Sequence, residues 1–140
     1  MGRIYNRLND IYEASIDYKP RGAESERKTA LYGPLAVELR HDRSGREGNT
    51  RIRKDEDGTL RFRFHDTDIV VARPDGKVTV WHGGWPTTTT AGRMQEVLNY
   101  GNQSVQHTYR KNKWPERGRY DQKILISGAE LTEPMTLEDD

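Results

Sequence analysis

Arg51-Ile52-Arg53-Lys54-Asp55-Glu56-Asp57-Gly58-Thr59-Leu60-Arg61-Phe62-Arg63-Phe64 decides the fold. Two alternating runs flank a turn-rich centre, the pattern of a β-hairpin, and the loop length sets which faces are apolar. A two- or four-residue loop would place Ile52 opposite an arginine. The three-residue loop Glu56-Asp57-Gly58, a type I turn with glycine at the left-handed position, pairs Ile52 with Phe62. The same register sets Arg51 opposite Arg63 and Arg53 opposite Arg61, so four guanidinium groups leave one side of a two-stranded ribbon.

A second hairpin follows the same rule. Pro74-Asp75-Gly76 carries proline, aspartate and glycine where such a turn needs them, pairing Val70 with Val80 and Ala72 with Val78. The other face of this pair, Ile69, Val71, Thr79 and Trp81, is also largely apolar. A pair apolar on both sides belongs in the middle of a sheet, covered by helices.

Upstream, Ile4, Leu8, Ile11, Tyr12 and Ile16 form one stripe at helical spacing, giving an amphipathic helix over residues 3–18 that stops at Lys19-Pro20. Residues 19–30 read as a linker. Leu35, Val37 and Leu39 alternate as a half-buried strand, and the polar run His41–Asn49 reads as a loop. Downstream, Gly83-Gly84-Trp85-Pro86 makes a tight corner, with Trp85 expected as a core anchor. A threonine run then leads into a helix over about 91–100, capped by Thr89 or Thr90 and ended at Gly101. Gln103–Lys113 is polar, while Lys123–Ile126 reads as a last short strand.

The expected fold class is therefore α+β: a small antiparallel sheet built from two hairpins, an N-terminal helix and a short helix after the Gly-Gly-Trp corner. Residues 1–129 are expected to form one domain, and the acidic stretch 130–140 a disordered tail.

Composition narrows the function. Leu, Ile, Val and Phe make up 25 of 140 residues, about 18%, below the ~20% at which chains begin to look disordered. However, 23 basic residues set against 22 acidic ones give no self-repulsion, so a small folded core is expected. There is no cysteine, which removes disulfides, thiolate metal sites and a cysteine nucleophile. The first 20 residues hold no apolar run, and no stretch is long enough to span a bilayer. Neither secretion nor a membrane partner is expected.

The block Phe64-His65-Asp66-Thr67-Asp68-Ile69-Val70-Val71, then Pro74-Asp75-Gly76, Gly83-Gly84-Trp85, Thr87–Thr90 and Arg93-Met94 resembles a family of small, uncharacterised tailed-bacteriophage proteins. The resemblance covers roughly residues 58–100. It implies a phage protein acting in the cytoplasm of the infected host, and it supplies no catalytic residue.

Like charges opposite one another destabilise a strand pair, so the arginine ribbon of Arg51, Arg53, Arg61 and Arg63 needs counter-charges. Loop carboxylates such as Asp55, Asp57 and Glu47 can supply them; so can an anionic partner, because guanidinium forks fit carboxylates and phosphates alike. A second candidate is Tyr109–Tyr120, where Arg110, Lys111, Lys113 and Trp114 mix cations with aromatics as in single-strand binders; a solvated loop pinned by its aromatics is the competing reading. These eight residues are the expected partner-binding set.

Enzymatic readings are weaker. His65-Asp66-Thr67 is half of a paired His-x-Thr phosphoesterase signature, and the second half is missing. A metal held by His65, Asp66, Asp68 and His82 is conceivable, but an exposed polar strand end is the better reading. Gly83-Gly84 lacks the lysine and spacing of a phosphate loop. The expectation is a non-enzymatic accessory protein with no cofactor, no catalytic residue and no metal. Its partner is expected to be a host or defence-system protein, with nucleic acid as the alternative.

Overall fold

The computed structural model describes residues 2–17, 50–111 and 120–139. Helix α1 (Arg3–Asp17) is followed by strands β1 (Thr50–Lys54), β2 (Leu60–Phe64), β3 (Thr67–Ala72) and β4 (Lys77–Val80). Next come helix α2 (Thr88–Leu98), which runs into a 3-10 turn over Asn99–Gly101, and strands β5 (Val105–Lys111), β6 (Tyr120–Ile126), β7 (Ala129–Glu130) and β8 (Met135–Glu138). The fold is α+β, with its main sheet built from the two hairpins. That sheet has the order β1-β2-β3-β4-β8, and β5-β6-β7 form a second, three-stranded sheet.

Both hairpin registers match the loop-length argument. Ile52 faces Phe62, Arg51 faces Arg63 and Arg53 faces Arg61; Val70 faces Val80 and Ala72 faces Val78. Gly58 and Gly76 take φ of 91° and 92°, the left-handed angles that end each turn without a Cβ clash.

The core lies where the inner face of the main sheet meets the two helices. Phe62, Leu60, Val70, Ala72, Val78 and Val80 pack with Ile4, Leu8 and Ile11 of α1 and with Met94, Val97 and Leu98 of α2. Ile124, Ile126 and Leu131 complete it from the second sheet. Each large aliphatic or aromatic side chain so buried contributes about 1.5–3 kcal/mol relative to exposure, which is how a chain poor in such residues still folds. Arg7 is buried where α1 crosses the end of α2, its guanidinium lying 4.7 Å from the centre of the Tyr100 ring. Tyr5 ties the same helix to the first hairpin, its hydroxyl donating to the Gly58 carbonyl at 2.6 Å.

One strand is added and two expectations are corrected. The stretch read only as polar contains β5, whose alternation is hidden because its exposed positions Gln106 and Thr108 flank the partly buried His107 instead of an aliphatic residue. The acidic tail is not disordered: Leu131 is buried, and β8 pairs with β4, with Leu137 facing Val78 and Met135 facing Val80. Two half-buried apolar residues at alternate positions suffice for an edge strand once β4 offers its free side. Finally, α2 begins three residues early, because Thr87 is the threonine whose hydroxyl accepts the Thr90 N–H, at 3.2 Å.

The strand expected at Leu35–Leu39, the linker at 19–30 and the loop His41–Asn49 lie outside the described residues. No helix among the described residues is long and apolar enough to cross a membrane.

Candidate functional site: an arginine face and a cavity beside it

The four ribbon arginines share the outer face of β1 and β2, opposite the core. Two carboxylates, Asp55 and Asp68, supply counter-charges to three of them, Arg53, Arg61 and Arg63. Asp55 meets Arg61 Nε at 2.8 Å and Arg53 Nε at 3.2 Å. Asp68 meets Arg61 at 3.3 Å and Arg63 at 3.2 Å. Arg61 is thus clamped between two acids, and the hydrogen bond to Asp55, foremost, raises its already high pKa. Asp57, named above as a counter-charge, instead accepts the Thr59 backbone N–H at 2.9 Å and closes its own turn. Glu47 lies outside the described residues.

Asp68 reaches this face through a backbone irregularity. Phe62 pairs with Val70 but Arg63 pairs with Asp68, so Ile69 is the surplus residue of a β-bulge. A regular ladder would set Ile69 against Arg63. The bulge keeps both Ile69 and Val70 buried while swinging Asp68 among the guanidinium groups.

Arg110 and Lys111 stand at the end of β5, in the other sheet, in register with Asp121 and Tyr120. Lys113 and Trp114 lie outside the described residues.

Past the bulge, the β2–β3 turn approaches the Gly83-Gly84 corner. A Cβ on Gly83 would sit 2.2 Å from Thr67 Oγ1, and its φ is 65°, so both contact and backbone angle call for glycine. His82 fastens the corner from inside. The Gly84 N–H donates to Nδ1 at 3.0 Å, so the ring proton sits on Nε2, which donates to the Leu131 carbonyl at 2.9 Å. His82 is thereby a structural strut, and Asp68 is committed to arginines. Among the described residues no group of three or more His, Asp or Glu side chains is placed to hold a metal ion.

Trp85 overturns another expectation. The corner does not bury it: the side chain is 69% exposed. Gly83 and Gly84, at φ 65° and 88°, turn the chain outward before Pro86, so the indole projects from the fold. It borders a cavity of about 520 Å³ lined also by Phe64, His65, Asp66, Ile69 and Thr89.

A family model described as Kyanoviridae Gp96 protein matches residues 35–130. The chain belongs to this family of phage proteins. That Kyanoviridae Gp96 match spans the arginine face, the corner and the cavity together. No curated protein and no solved structure matches the chain.

Proposed function

We propose that this Kyanoviridae Gp96 family member is a non-enzymatic accessory protein that binds a host or defence-system protein inside the infected cell. It would do so by setting the arginine face against an acidic surface, to counter a defence or redirect host machinery. The observation that carries this reading is the charge pattern of β1–β3. Four guanidinium groups stand in two facing pairs on one ribbon, and the side chains of Arg53 and Arg63 stay 69% and 48% exposed beside Asp55 and Asp68. Exposed pairs of this kind contribute at most about 1 kcal/mol to folding, so stability alone gives little reason to crowd four arginines there.

The interleaved carboxylates favour a protein over a nucleic acid. A polyphosphate backbone is uniformly anionic and would be repelled by Asp55 and Asp68 wherever it tracked the ribbon. A protein surface can match alternating signs.

The test is capture from host lysate with and without nuclease, using wild type and an Arg53→Glu/Arg63→Glu variant that leaves the Arg61 clamp in place. A single host protein retained after nuclease, and lost by the variant at unchanged thermal midpoint, supports the reading. Micromolar oligonucleotide binding at ~150 mM salt, with a log–log salt slope of roughly −3 to −4 for four phosphate contacts, would transfer the function to nucleic acid.

A further inference from the structure

The cavity between the β2–β3 turn and the Gly83-Gly84 corner shares no residue with the arginine face. At about 520 Å³ it falls within the ~300–1,000 Å³ range of small-molecule sites. Its interior is apolar, with Phe64 and Ile69 both buried in the core.

Trp85 stands at its border on a fixed backbone. Its N–H donates to the His82 carbonyl at 3.0 Å, and its own carbonyl accepts the Thr87 N–H at 2.8 Å. An exposed indole on a hydrogen-bonded backbone beside an apolar hollow is a ready stacking platform for a planar ring.

Threonines and His82 line the corner side, and two exposed ionisable groups face them from the opposing turn. His65 and Asp66 are both exposed, and Asp66 has no hydrogen bond or ion pair among the described residues. Among the described residues the lining has one carboxylate and neither lysine nor arginine. That charge pattern repels phosphate and suits a ligand edge rich in N–H donors.

We propose that this cavity is a nucleobase site. A planar heteroaromatic ring stacks on Trp85 over Phe64 and Ile69, with its N–H edge turned to the Asp66 carboxylate. Guanine fits best, because its N1–H and N2–H donors lie side by side and match the two oxygens of one carboxylate. A free nucleoside and a base in a flexible single strand present the same edge.

Guanosine, adenosine and a short guanine-containing single-stranded oligonucleotide are the probes, read by saturation-transfer NMR and titration calorimetry on the full chain. Guanosine is expected to bind in preference to adenosine. Trp85→Ala, at an exposed position, should weaken binding at least about tenfold, as for one lost base stack. Asp66→Asn should abolish the preference for guanosine, and Arg53→Glu/Arg63→Glu should leave binding unchanged, which separates this site from the arginine face. Tighter binding of the oligonucleotide, equally lost in Trp85→Ala, identifies a single strand as the source; equal affinities identify the free nucleoside. Absence of saturation transfer from both, binding that survives Trp85→Ala, or equal affinity for guanosine and adenosine overturns the proposal.

Discussion

Asp139 holds the amino end of α1 at Ile4. One carboxylate oxygen accepts the Ile4 N–H and the other the Tyr5 N–H, each at 2.9 Å, while the Asp139 N–H donates to the Gly76 carbonyl at 2.8 Å. The first turn of α1 contains no acidic residue of its own. The cap that a helix usually takes from its immediate neighbour is delivered here by a residue 135 positions away, at the far end of β8.

Asp139→Ala is therefore expected to lower stability by about 1 kcal/mol, as for other lost caps, with Asp139→Asn recovering part of it. Urea unfolding checks this: the midpoint should fall with the slope unchanged. An unaltered midpoint would show that the carboxylate contributes nothing to α1.

Acid sensitivity follows from Asp57. The Thr59 backbone N–H, the largest cause, holds its carboxyl below the ordinary aspartate range. A folded-state value below the unfolded one gives stability that is present above the unfolded value and lost as pH falls through the folded one. Asp57→Asn should accordingly flatten the acid limb of a melting-temperature profile below about pH 4. An unchanged limb would assign the acid loss to other carboxylates.

The opposite sign applies at the β4–β8 seam. The Lys77 amine is raised by its hydrogen bond to Glu138, so its contribution is present below the unfolded lysine value and lost as pH rises through the folded one. Glu138→Gln should remove this alkaline component, measured as amide exchange protection of β8 at high pH.

His82→Phe keeps the ring volume but leaves the Gly84 N–H and the Leu131 carbonyl without the partners they have now. The expected cost is about 1–3 kcal/mol, with faster amide exchange at residues 129–131. A variant as stable as wild type would mean that water replaces the imidazole.

Gly83→Ala adds a methyl group 2.2 Å from Thr67 Oγ1 and strains a φ of 65°. A loss above about 1 kcal/mol is expected. Thr67→Ala should relieve the contact but not the backbone strain, so the double-mutant cycle should show partial coupling. Full rescue would show that the φ angle costs nothing.

Both hairpins were legible because turn chemistry and apolar parity are strictly local: Gly58 and Gly76 mark the turns, and only one loop length keeps Ile52 with Phe62. The α1 stripe was legible for the same reason. Asp68 was not placed among the arginines, because a bulge at Ile69 leaves no mark in an alternation count when Val70, Val71 and Ala72 after it are all apolar. β8 was hidden because its pairing depends on the exposed side of β4, fifty and more residues earlier. Trp85 was misread because aromatic character signals burial on average, whereas two glycines and a proline decided its direction. In the candidate site, the arginine pairing came from register, while the counter-charges and the cavity depend on tertiary approach.

The bulge also sets a direction. It sits between the Phe62–Val70 and Arg63–Asp68 pairs, so the Arg63–Asp68 contact and the Phe64–Thr67 pair beside the cavity lie on the same side of it. Extra local twist is concentrated at such a surplus residue, so the turn that carries His65 and Asp66 leaves the ribbon of Arg53 and Arg61 at its own angle, and one extra residue sets the direction from which each surface is reached.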